Sequence, residues 1–201
     1  MNTREKILDA AMEVFGHQGY AKASMDQIAA CAGVSKGALY YFFRNKSDLY
    51  WSMIQDGVDY LHTILDAALE QPATPERYLY DIISAYVNLA LDHPAYVDTL
   101  AGLITEGGDP AFTAKARAVF SKMVDKVAEI LQEGVAMGAV RVHDLPFTAV
   151  SFLSMALGAY LAQRRLGLLR QDREAMIRGM YHMAGWGLLG AAPEGAPSCA
   201  S

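Results

Sequence analysis

The chain has 201 residues, 53% of them hydrophobic and 19% charged, with a formal net charge of −5. That balance excludes a disordered chain and a generic polycationic coat for nucleic acid, and it suffices for one or two hydrophobic cores. The two cysteines, Cys31 and Cys199, have neither metal nor disulfide spacing, which fits a reducing compartment. The opening segment "MNTREKILDAAMEVF" interleaves charges with apolar positions, so it is not read as a secretory signal, and the expected location is the cytoplasm.

Charge is unevenly spread. Residues 1–50 carry six Lys/Arg and five Asp/Glu, net +1, whereas residues 51–201 carry eleven and seventeen, net −6. A mildly basic end on an acidic body permits a local contact with phosphate without a global one. Helical periodicity dominates and strand-like alternation is lacking, so the fold class is all-α, with about nine helices.

The first helix is expected from about Thr3 to His17, with Ile7, Leu8, Ala11, Val14 and Phe15 on one stripe and Gly19 just beyond its end. Ser24 and Gln27 have capping-box spacing and open a second helix, whose Ile28, Ala29 and Ala32 face inward. Gly33 ends it, and Ser35 can cap a third helix at once, so "CAGVS" joins two short helices in a helix-turn-helix, residues 24–43. Asn45 can cap a fourth helix, Lys46 to about Gln71. Helices follow at about Pro75–Leu91, Ala95–Ile104, Pro110–Met137, Pro146–Leu168 and Asp172–Leu189, separated by segments rich in Pro, Gly and Asp. The tail 191–201 is read as disordered.

A recognition helix needs groups near base edges and flanks bonded to phosphate. With Leu39 and Phe43 packing inward, "VSKGALYYFF" leaves Lys36, Gly37, Tyr40 and Tyr41 on or beside the outer face. Gly37 allows close backbone approach, Lys36 offers a cation to phosphate or guanine, and both tyrosine hydroxyls can donate to phosphate oxygens. Lys46, at the next helix start, can reach phosphate too. Ser24 and Ser35 are first of all caps, Phe42 and Phe43 are read as core, and Cys31 as a small buried residue.

The stretch "GYAKASMDQIAACAGVSKGALYYFFRNKSDL", Gly19 to Leu49, closely resembles the TetR family of transcriptional regulators. The resemblance covers about the first 60 residues; the body matches only in helix count, order and length. It implies DNA contacts at Ser24, Ser35, Lys36, Gly37, Tyr40, Tyr41 and Lys46. Phe42 stands where the family most often has histidine, so a polar phosphate contact there is replaced by packing or by apolar contact with a thymine methyl. The resemblance further implies a DNA-binding domain over 1–61 and a ligand-binding and dimerisation domain over 62–190, whose last two helices pair with those of a second copy. Phe152, Met155, Ala156, Ala159, Tyr160, Met176, Met180, Met183, Ala184 and Leu188 mix small and bulky apolar residues as such an interface requires. An internal core pair is the alternative.

The span Leu145–Gln163 has no charge and approaches membrane-crossing length, but its Pro, Thr, Ser, Gly and Gln residues dilute it, so a helix buried on two sides is expected and no membrane partner. Tyr60, Tyr78, Tyr86, Tyr96, Phe112, Phe120 and Met123 are divided between core and a ligand cavity in a way the sequence does not sort, and no ligand residue is assigned. Asp59, His62, His93 and Glu106 lack metal spacing, so no metal or cofactor is expected.

The leading expectation is a homodimeric repressor that binds a palindromic operator and is released by a small, mainly apolar effector. Sharing its DNA chemistry, an activator or a ligand-blind regulator is not distinguished by the sequence. An all-α small-molecule-binding protein or enzyme with a merely structural N-terminal motif is the other class, against which no nucleophile and base, carboxylate pair or cofactor loop appears at a diagnostic spacing.

Overall fold

A computed structural model describes residues 2–69, 75–105, 110–138, 140–167 and 172–188. The described residues form α1 (Thr3–Lys22), α2 (Met25–Ala32), α3 (Lys36–Phe42), α4 (Lys46–Leu69), α5 (Pro75–Asp92), α6 (Pro94–Thr105), α7 (Pro110–Ala136), α8 (Leu145–Leu166) and α9 (Arg173–Leu188), with no strand among them. The expected end of the fourth helix at Gln71 and the tail 191–201 lie outside the described residues.

The chain divides into two compact units, Met1–Leu61 with Asp92–Phe120, and His62–Leu91 with Ser121–Ser201. In the first, α1 packs on α2 and α6, and α2 on α3. A capping box begins α1: the Asn2 side chain accepts from the Glu5 N–H at 3.0 Å, and the Glu5 carboxylate accepts from the Asn2 N–H at 2.8 Å. The sequence places the end of this helix at His17, but α1 continues to Lys22 through a kink at Gly19. Gly19 takes φ 77°, a backbone that side chains disfavour, so the glycine bends the helix and one further turn follows. Ile7, Leu8, Ala11 and Phe15 are buried as their spacing requires, while Val14 is half-buried.

The early part of α4 is tied to α1 at Arg4, whose guanidinium donates to both Asp56 carboxylate oxygens at 2.8 and 3.3 Å. It meets α6 at Gly57, where a Cβ would overlap the Tyr96 ring, so only glycine permits this approach of ring to backbone.

In the second unit, the Tyr78 hydroxyl donates to the Ile130 carbonyl at 2.6 Å, and Tyr86 meets Phe152 edge-on at 5.4 Å, which pack α5 against α7 and α8. Arg173 donates to Asn88 Oδ1 at 2.9 Å, joining α9 to α5. Asp144 caps α8 by accepting from the Phe147 N–H at 2.9 Å, and Asp172 caps α9 through the N–H groups of Glu174 and Ala175.

Candidate DNA-binding interface

The turn between α2 and α3 is built by local hydrogen bonds. Ser24 Oγ accepts from the Gln27 N–H at 3.2 Å while Gln27 Oε1 accepts from the Ser24 N–H at 2.9 Å. Gly33 closes α2 with φ 65°, and the Gly33 and Val34 N–H groups bond back to Ala30 and Ala29 at 3.2 and 3.0 Å. Ser35 then caps α3 by accepting from the Ala38 N–H at 3.1 Å. Beyond α3, Asn45 Oδ1 accepts from the Asp48 N–H at 2.9 Å and starts α4.

These caps fix how α3 rolls. Leu39 and Phe43 are buried, at 0% and 3% exposure, whereas Tyr41 is 84% exposed and Lys36, Gly37 and Tyr40 are exposed beside it. Nothing nearer than Ser35 Oγ, at 4.0 Å, would meet a Cβ on Gly37, so that backbone is open to an approaching surface. Phe42 departs from the core reading: it is exposed and stands edge-on against Tyr41 at 5.2 Å. Four consecutive residues cannot share one face of a helix, and the inward face is already filled by Leu39 and Phe43.

Each lysine is already engaged. The Lys36 ammonium lies 2.7 Å from Asp26 Oδ1, and this partner raises its pKa. Lys46 donates to the carbonyls of Tyr20, Ala23 and Ala21 at 2.8, 3.0 and 3.3 Å, with the Tyr20 ring 4.5 Å below it. All three acceptors belong to the last turn of α1 and the segment after it, so Lys46 satisfies carbonyls that the helix end leaves open.

Cys31 corrects its sequence reading, being exposed, not buried. Its pKa is raised, first by partial desolvation and then by the Glu13 carboxylate 3.6 Å from its sulfur, which disfavours the reactive thiolate.

Residues proposed from sequence for the dimer separate by burial. Phe152, Tyr160, Met180 and Ala184 are buried, Met155, Ala156, Ala159 and Met176 are half-buried, and Met183 is exposed. The Leu188 side chain lies outside the described residues. Sequence reasoning missed Phe147, Val150 and Leu166 of α8, which are exposed. They share the exposed side of α8 with the small or polar residues Ser151, Ser154 and Gly158, while much of the rest of the helix is half-buried. Asp26 was also missed, since nothing in its spacing from Lys36 signals a cross-turn ion pair.

Two short capped helices with one face of the second left bare, carrying a cation, a glycine and two hydroxylated rings, define a helix-turn-helix nucleic-acid-binding protein. Residues 7–53 match the model for "Bacterial regulatory proteins, tetR family", and residues 79–184 match that for "AefR-like transcriptional repressor, C-terminal domain". The chain belongs to the TetR family of bacterial transcriptional regulators.

The HTH-type transcriptional regulator SrpR of Pseudomonas putida is 28% identical over 198 residues, covering 96% of this chain and 87% of SrpR. The HTH-type transcriptional regulator AcrR of Shigella flexneri is 36% identical over 84 residues, a match that spans 40% of this chain and 38% of AcrR. Among solved structures, FadR of Bacillus subtilis in complex with stearoyl-CoA superposes with a TM-score of 0.77 at 20% identity, covering 90% of this chain and 96% of that one, which shows the fold. SrpR and AcrR are both named as transcriptional regulators.

Proposed function

We propose that this chain is a cytoplasmic, homodimeric repressor without enzymatic activity, which holds a palindromic operator through α3 and is released by a small, mainly apolar effector. The observation that carries the reading is the bare face of α3, on which Lys36, Gly37, Tyr40 and Tyr41 are exposed together while Leu39 and Phe43 anchor the other side. Lys36 and the tyrosine hydroxyls supply charged and neutral donors to phosphates, and the Gly37 backbone can come close to the groove. Ser24 and Ser35 add hydroxyls at the starts of α2 and α3, and Phe42 adds an apolar edge for a thymine methyl.

A helix of seven residues reads few bases, so a two-fold dimer with two half-sites is the expected operator-bound form. The apolar exposed side of α8, with Phe147 and Val150, and Met183 of α9 support pairing with a second copy. Residues 1–61 form the DNA-binding domain in this reading, and residues 62–190 the effector and dimerisation domain.

Support for an internal effector comes from the second unit. The Tyr86 hydroxyl and Gln163 Oε1 are buried without a hydrogen-bond partner among the described residues, and burial pushes the Tyr86 hydroxyl pKa up, keeping it a neutral donor. Buried polar groups ordinarily have partners, and an effector polar group there is the reading these two support. The stearoyl-CoA held by FadR makes an acyl thioester one class to test.

The test is a gel-shift titration on a duplex selected from a random pool. Tyr41→Ala and Lys36→Ala should each lose operator affinity while remaining folded and dimeric by size-exclusion chromatography. Unchanged affinity in both variants would remove α3 from the interface.

A further inference from the structure

We infer that Asp26 is a specificity-determining residue of the DNA interface: it holds the Lys36 ammonium away from non-specific DNA and releases it only when α3 is seated on its operator. The inference rests on α3 being the recognition helix.

Asp26 Oδ1 lies 2.7 Å from Lys36 Nζ, and the two side chains are 67% and 61% exposed. The pair therefore sits at the surface a phosphate would approach, not beneath it. Its position is set by rigid local structure. The Ser24–Gln27 capping box holds the start of α2, which carries Asp26, and the Ser35 cap holds the start of α3, which carries Lys36. As a device for stability the pair has little to offer, since exposed ion pairs contribute little. A carboxylate in the first turn of α2 also complements the helix dipole. Neither role makes a statement about DNA.

The electrostatic role does. Affinity for DNA rises with each phosphate neutralised, because each releases counterions, and this gain is indifferent to sequence. A cation already neutralised by a carboxylate gives no such gain until the carboxylate is replaced. In a loose, non-specific complex Lys36 stays with Asp26 and adds nothing. At the operator, a seated α3 offers Lys36 a phosphate or guanine acceptor in fixed geometry, and the exchange proceeds. Asp26 thus subtracts from non-specific affinity more than from operator affinity, which raises their ratio.

The experiment uses the full-length protein with Asp26→Asn, which preserves size and removes charge. Fluorescence anisotropy is measured against the selected operator and a scrambled duplex of equal length, from about 50 to about 200 mM salt, the range over which phosphate contacts separate. The expected result is a gain of about threefold or more on the scrambled duplex, with its log K against log salt slope steeper by about one unit. The operator should gain less, so the specificity ratio falls. Asp26→Glu, which keeps the charge, should restore most of the ratio. An unchanged scrambled affinity and slope overturns the inference, and so does equal weakening on both duplexes, which would make Asp26 a simple orienter of Lys36. A wild-type protein that does not prefer the selected duplex at all would instead sink the DNA-binding reading itself.

Discussion

Replacing Lys46 by alanine separates a structural clamp from a phosphate contact. Its ammonium has three donors and the structure gives it three carbonyls, at 2.8, 3.0 and 3.3 Å, two of those bonds part-buried. Hydrogen bonds from a charged donor contribute about 1.5–3 kcal/mol each, but carbonyls that regain water recover much of this, so the net cost of Lys46→Ala is about 2–3 kcal/mol. In a chain of this size that corresponds to a fall in Tm of roughly 5–10 °C, readable by circular dichroism. Operator affinity should fall with it, because the segment joining α1 to α2 loses its anchor on α4. The salt dependence of binding should not change. A lysine that neutralised a phosphate would instead take about 0.9 from the slope of log K against log salt. An unchanged Tm together with a shallower slope would refute the clamp and restore Lys46 to the DNA contacts.

Gly57→Ala forces a methyl into the Tyr96 ring and should cost about 1–3 kcal/mol in urea unfolding, as overpacking does. Val150→Glu puts a charge on the exposed apolar side of α8 and should shift the protein toward monomer in sedimentation velocity, with binding to a single half-site spared. Tyr86→Phe removes a buried hydroxyl with no partner among the described residues, so stability should hold or rise by about 1 kcal/mol, while sensitivity to the effector in a release assay falls.

The DNA-binding module was legible because its signals are local. Ser24 with Gln27, Gly33, Ser35 and Asn45 act on backbone groups a few residues away, and each cap forms where the spacing placed it. Leu39 and Phe43 followed from one helical period. What the sequence did not show mostly involves partners distant in sequence, apart from the end of α1, where a local kink at Gly19 lets the helix run on to Lys22. Lys46 meets carbonyls at the end of α1, Asp26 meets Lys36 across the turn, and Phe42 stays outside because Leu39 and Phe43 occupy the inward face. The dimer list failed to separate for a related reason. The exposed face of α8 is marked in the sequence only weakly, by Ser151, Ser154 and Gly158, and the bulky Phe147 and Val150 beside them obscure it, so that Phe152 and Tyr160 turning inward does not follow from composition.

The seat of Tyr96 on Gly57 also governs how a signal travels through the first unit. Helices separated by a layer of pliable side chains have play: one slides by a fraction of an ångström while rotamers take up the difference. A ring pressed against bare backbone has no such backlash. With Arg4 and Lys46 tying α4 to α1 as well, little loose side-chain packing is left between α1, α4 and α6 to take up a push on α4 or α6. In the proposed repressor, a displacement of these helices is therefore carried on to Tyr41 and α3 with little taken up along the way.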